Sequence, residues 1–119
     1  MAKPVPLRPS APVARVTLAD DRAAELADLF RLLGDPTRLR IVLTCLDASV
    51  AVGDIAARLG LSGSLVSHHL RLLRAAAIVR AERQGKQVFY VAADDHVRRM
   101  IADMVEHVTE PRSDDEDDT

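Results

Sequence analysis

Gly60-Leu61-Ser62-Gly63-Ser64-Leu65-Val66-Ser67-His68-His69-Leu70-Arg71-Leu72-Leu73-Arg74 is the stretch that decides the fold of this chain. Gly60 closes a short helical pattern, Val52 to Leu59, at the position just past a helix where a left-handed residue is favoured. Ile55, Ala56 and Leu59 are the inward residues of that pattern. Ser62 supplies a capping hydroxyl to the helix that follows. Two short helices joined through Gly60-Leu61-Ser62 have the length and turn chemistry of a helix-turn-helix. At 100° per residue, Ser64, Ser67, His68 and Arg71 share one narrow polar face, and Leu65, Val66, Leu70, Leu72, Leu73 and Ala76 cover the opposite side. Standing alone, such a helix is an ordinary amphipathic surface helix. Its polar face nevertheless suits a major groove, where hydroxyls, imidazole and guanidinium reach base edges and phosphates. His69 falls amid the apolar arc and is expected to be a packed, hydrogen-bonded structural histidine.

Outward from this motif, the segments Ile78 to Glu82 and Gln87 to Val91 are rich in β-branched and aromatic residues and flank Arg83-Gln84-Gly85-Lys86. They read as a hairpin tipped by Gly85, a wing that adds Arg83 and Lys86 to a cationic surface including Arg74 and Arg80. On the N-terminal side, Asp35-Pro36 offers a cap and a first-turn proline, and Leu39, Val42, Leu43 and Leu46 repeat at helical spacing. Leu26, Leu29, Phe30 and Leu33 give the same stripe to a helix from Leu18 to Leu33, ended by Gly34. Val97, Ile101, Met104, Val105 and Val108 mark a last helix from about Asp95, stopped by Pro111. The divisions expected are a flexible, Pro-rich N-terminal arm over 1–17, one domain over 18–110, and an acidic disordered tail over 111–119.

A length of 119 residues suits one domain with a single core. With 48% hydrophobic but only 3% aromatic residues, that core must be Leu, Val, Ile and Ala, which favours helices on helices. The fold class predicted is mainly α with a small β-hairpin wing, a winged helix-turn-helix. Cys45, the sole cysteine, sits in an apolar run, so no intrachain disulfide can form and a buried, hydrophobe-like role is expected. No run approaches the roughly 20 apolar residues that cross a bilayer, and the proline-broken start does not read as a signal peptide. A soluble, cytoplasmic protein is expected. The net charge of −2 conceals five acidic residues between Asp114 and Asp118, without which the remainder carries +3. That balance permits nucleic-acid binding.

Two of the four histidines lie on the last helix with carboxylates beside them, in Asp94-Asp95-His96 and His107-Val108-Thr109-Glu110. Eleven positions separate His96 from His107, a rotation that returns to within about 20° of the starting direction but advances about 16 Å along the axis. One ion cannot bridge them within a chain. Packed antiparallel about a two-fold axis, however, two such helices bring Asp94 and His96 of one chain to His107 and Glu110 of the other. The result is two equivalent four-ligand sites of mixed N and O donors.

Leu33-Gly34-Asp35-Pro36-Thr37-Arg38-Leu39-Arg40, Val66-Ser67-His68-His69-Leu70 and Arg83-Gln84-Gly85-Lys86, with the terminal Asp-x-His and His-x-x-Glu pairs, resemble the ArsR/SmtB family of bacterial metal-responsive repressors, especially its zinc sensors. The resemblance runs from about Leu26 to Glu110. It implies a homodimer on double-stranded operator DNA with Ser64, Ser67 and His68 in contact with it, and the expected DNA-binding set adds Ser62 at the helix start, Arg71 from the polar face, and Arg83 and Lys86 from the wing. It also implies Asp94, His96, His107 and Glu110 as ligands of an allosteric Zn2+, with Co2+ as a substitute. Metal binding would then release the operator and derepress efflux or resistance genes. Thiolate ligands that many members carry are missing, since Ala51 begins the third helix and the arm has no Cys or His, so arsenite, lead or cadmium sensing through thiolates is not expected. Neither a membrane nor a small-molecule substrate is implied. The nearest rival is a winged-helix regulator answering a non-metal signal, any metal being structural. A metal-dependent hydrolase is a more distant one, because no catalytic residues are visible and no nucleophile stands beside a base. A third is a pairing module whose dimerisation would ignore changes at His96 or His107.

Overall fold

The computed structural model describes residues 16–111. Five helices and three strands follow in the order α1 (Asp20–Leu33), α2 (Pro36–Thr44), β1 (Val50–Ala51), α3 (Val52–Leu59), α4 (Gly63–Ala75), β2 (Val79–Gln84), β3 (Gln87–Ala92) and α5 (Asp95–Thr109). This is a winged helix-turn-helix, mainly α. The arm and tail lie outside the described residues except for Val16, Thr17 and Pro111.

The chain's punctuation works as its residue types require. The Asp35 carboxylate accepts from the Arg38 amide at 2.9 Å and Pro36 takes the first helical position, so only Gly34 and Asp35 separate α1 from α2. At the end of α3, Gly60 adopts φ 68° and the Leu61 amide returns to the Ala56 carbonyl at 3.0 Å. This left-handed closure turns the chain into Ser62, whose hydroxyl caps α4 by accepting from the Leu65 amide at 3.1 Å. The end of α4 repeats the closure with Ala77 at φ 61°, the Ile78 amide bonding the Leu73 carbonyl at 2.9 Å. Gly85, at φ 65°, opens the two-residue turn of the wing, the sign of φ that such hairpins need there.

Ile41 and Val42 of α2, Ile55 of α3, and Val66, Leu70 and Leu73 of α4 form the fully buried centre, closed by Val79 of β2. Ile101 anchors α5 to it. Cys45 is buried, as its apolar run implied.

Several expectations are corrected. The first helix begins at Asp20 rather than Leu18, and the wing strands run one or two residues further towards their C-terminal ends than the composition suggested. A third strand, β1, is new: Val50 pairs with Tyr90 and Ala51 with Phe89, giving a sheet of order β1-β3-β2. Leu65 and Leu72 were assigned to the covered side of α4 but are 39% and 38% exposed. They lie at the edge of the arc, and the burial centres instead on Val66, His69, Leu70 and Leu73. Among the described residues no helix is long and apolar enough to cross a membrane.

Candidate nucleic-acid interface and metal ligands

The side of α4 turned away from the core carries Ser64, His68, Arg71 and Arg74, all exposed, with Ser67 half-buried beside them. Ser62 stands at the head of the same helix. Its hydroxyl is engaged in the cap, 3.5 Å from that of Ser64, so the two serines form one polar cluster at the N-terminal turn. Arg83 and Lys86 are exposed at the tip of the wing and make no ion pair among the described residues. Arg80 differs from them, because it pairs with Glu82 two residues along its own strand, which reduces what it can offer a phosphate. The wing itself is held firmly. Its base is stitched to the end of α2 by the Ala92 amide on the Cys45 carbonyl at 3.0 Å, and the Ala93 amide on the Ile78 carbonyl at 2.9 Å extends the hairpin ladder by one step.

His68 and His69 are adjacent in sequence but differ in setting. Their rings lie 5.5 Å apart, tilted at 58°. His69 is 9% exposed and accepts, at Nδ1, a hydrogen bond of 3.2 Å from Nε of Arg38. Burial, reinforced by the Arg38 charge, holds its imidazole below the ordinary value. The wheel had marked His69 as structural; its partner, 31 residues earlier, carries no signal in the sequence.

Asp94, His96, His107 and Glu110 are all exposed, the first two at the start of α5 and the last two at its end. Asp94 Oδ1 caps the helix, accepting from the Val97 amide at 2.9 Å, and lies 3.8 Å from His96 Nδ1. The cap role was not foreseen; it fixes the carboxylate beside the imidazole and leaves its second oxygen uncommitted by that bond. Neighbouring Asp95 is drawn off by Arg98, whose hydrogen bond at 2.8 Å holds the carboxyl below its usual range, and Arg98 also reaches Asp47 at 4.0 Å. Among the described residues no three His, Cys, Asp or Glu side chains of one chain come close enough to hold an ion. Each end of α5 thus carries one exposed imidazole and one exposed carboxylate, a nitrogen and an oxygen donor.

Both stripes that promised helix packing are only partly covered. Phe30 of α1 is 60% exposed, and Met104 and Val108 of α5 are 55% and 70% exposed. Between them runs an apolar groove of about 590 Å³, lined also by Leu33, Leu39 and Leu43. An apolar face of this kind on a small protein marks an interaction surface.

Residues 35–81 match the family described as bacterial regulatory protein, arsR family. The chain is 38% identical over 90 residues to the transcriptional repressor SmtB homolog of Synechocystis sp., covering 76% of this chain and 68% of that protein. It is 43% identical to the cadmium metal-sensor CMTR of Mycobacterium tuberculosis, whose NMR structure matches with a TM-score of 0.60 over 74% of this chain and 92% of that one. At 26% identity and a TM-score of 0.68 it is similar to the homodimeric winged helix-turn-helix DNA-binding domain Mb0332 of Mycobacterium bovis, described as a possible ArsR-family regulator. That match covers 82% of this chain and 97% of the domain.

Proposed function

The chain belongs to the ArsR/SmtB family of bacterial transcriptional regulators, which are not enzymes, and from that premise we propose that it is a zinc-responsive repressor acting in the cytoplasm. The metal-free homodimer holds operator DNA, and occupation of two sites between the C-terminal helices releases it. The observation that carries this reading is the division of donors on α5: two exposed pairs at opposite ends of a helix whose apolar side its own chain leaves open. A second copy laid antiparallel against the α1 and α5 face closes the groove and completes both ligand sets together. Asp94 and His96 of one protomer with His107 and Glu110 of the other would hold the ion, which would supply a fixed cross-link between the two last helices.

DNA is read by Ser64, Ser67 and His68, with Ser62 at the helix start, and Arg71, Arg83 and Lys86 neutralise phosphates. The homodimeric relative supports delivery of two such faces to successive grooves. Coupling runs through His107, whose second ring nitrogen donates to a backbone carbonyl near Ala77, where α4 turns left-handed into the wing. By linkage, operator DNA weakens metal binding by the same factor.

Similarity to a cadmium sensor raises the question of thiolate ligands. The only cysteine of this chain is buried at the end of α2, and burial pushes its thiol up to about 11, so it is neither ionised nor accessible to an ion. Nitrogen and oxygen donors carry the sensing, and zinc or cobalt fits them better than cadmium.

Titration of zinc into the metal-free protein on a labelled operator, followed by anisotropy, tests the reading. Affinity should fall roughly 5 to 150-fold, the usual range of such coupling. His107→Ala should keep metal-free DNA binding and lose the release. Release at the wild-type zinc concentration by that variant would remove the interhelical site as the sensor and leave a DNA-binding regulator of another signal.

A further inference from the structure

Beyond the metal ligands and the polar face of α4, the described residues contain a part-buried polar assembly, centred on the buried His69, that neither role uses. Arg38 of α2 donates from Nη1 to the Leu32 carbonyl at 2.9 Å and from Nε to His69 Nδ1 at 3.2 Å. Leu32 lies in the last turn of α1, where a carbonyl has no partner within its own helix. α1 buries no residue completely, and it packs on the core through the half-buried Leu29, Leu32 and Leu33. One planar guanidinium thus joins the end of a helix on the open apolar face to the middle of the helix that carries the polar reading face, next to His68.

We propose that Arg38 and His69 are positioning residues for DNA binding, through which the end of α1 sets the placement of α4 relative to the dimer-forming face. The inference rests on the DNA-binding reading above and concerns residues that touch neither DNA nor metal in it. Only arginine offers two donors in a rigid fork able to serve a carbonyl and an imidazole at once. His69 serves only while Nδ1 is unprotonated: a proton there turns the acceptor into a donor and sets a second positive charge against the guanidinium. The charged groups facing the imidazole are Arg38 and Asp35 from α2 and its cap, and His68 from α4. Burial and Arg38 lower its proton affinity, His68 adds to them, and Asp35 opposes, so the link is intact at neutral pH and opens on acidification below 6.5. The expected result is a loss of operator affinity at acid pH that needs no metal.

The test uses the full chain, freed of metal by chelation, and an operator recovered by selection from random duplexes. Affinity is measured between pH 8 and 5 for the wild type and for His69→Asn, whose amide oxygen can accept from Arg38 but does not titrate. Every other titratable group is shared by the two proteins, so the ratio of their affinities reports on His69. That ratio should be constant above pH 6.5 and fall against the wild type roughly 5-fold or more towards pH 5; parallel profiles overturn the proposal. Arg38→Gln should weaken binding at pH 7.5 without changing the slope of affinity against salt. A slope reduced by about 0.9 per protomer would make Arg38 a phosphate ligand instead and overturn it equally. Should His69→Asn not fold, the wild type carries the test by NMR, the Arg38 Nε–H signal moving with the midpoint of the His69 ring; independent midpoints overturn it. Failure of the wild type to select any duplex would strike the DNA-binding reading itself, a distinct outcome.

Discussion

At the scale of single residues, two buried titratable side chains, Cys45 and His69, are held uncharged by the same force and serve different ends. Cys45 is a thiol kept protonated because its burial in the core at the end of α2 penalises the thiolate. A thiol-specific reagent at pH 8 should therefore modify the folded protein at least tenfold more slowly than the protein in denaturant, a comparison read directly from reagent absorbance. Equal rates would place the sulfur at the surface. His69 is kept neutral beside a cation that it can satisfy only in that state. Both were visible in the sequence as members of apolar arcs, because burial follows helical periodicity. The partner of His69 was not, since a contact across 31 residues leaves no local pattern.

At the scale of elements, the helices were legible because their stripes and caps are written in neighbouring residues: Asp35, Gly60 and Ser62 each end or begin what their chemistry says they should. β1 was illegible. Two residues, Val50 and Ala51, are too few to show alternation, and they become a strand only because β3 comes back to pair with them. Leu65 and Leu72 were misassigned for a related reason, since a wheel ranks directions around an axis but cannot tell where the neighbouring helix stops. The end of α4 holds a left-handed alanine, Ala77, where most helices of this closure place glycine. Ala77→Gly should stabilise the metal-free protein by about 1 kcal/mol, the usual strain of a β-carbon in that conformation, measured as a shift in denaturation midpoint at unchanged slope. Destabilisation would mean that the methyl group makes contacts outweighing the strain.

At the scale of the whole molecule, the proposed metal site is one that no single chain can build, because its two halves would stand at opposite ends of α5. Legibility stopped at the geometry between protomers, which is set by shape and area rather than by any run of residues. The open groove between α1 and α5 provides the test. A charge at its centre, Met104→Asp, should convert the dimer to a monomer at micromolar concentration and weaken operator binding at least 100-fold, while circular dichroism keeps its helical signal. Sedimentation and anisotropy on one preparation suffice, and a persistent dimer would move the interface elsewhere. Helices paired across that groove would have to supply about 800 Å² per partner, as ordinary stable interfaces do.

The short strand β1 has a consequence at this largest scale. Through it and the Cys45 carbonyl the hairpin is laced to the end of α2 and the start of α3, whose buried residues share one core with those of the reading helix α4. In the proposed dimer each protomer would present one such unit as a jaw, and the pair would make a caliper whose gap is set at the hinge between subunits. On the proposed mechanism a small rotation there, too slight to disturb any contact within either jaw, would take both out of step with the pitch of the double helix at once.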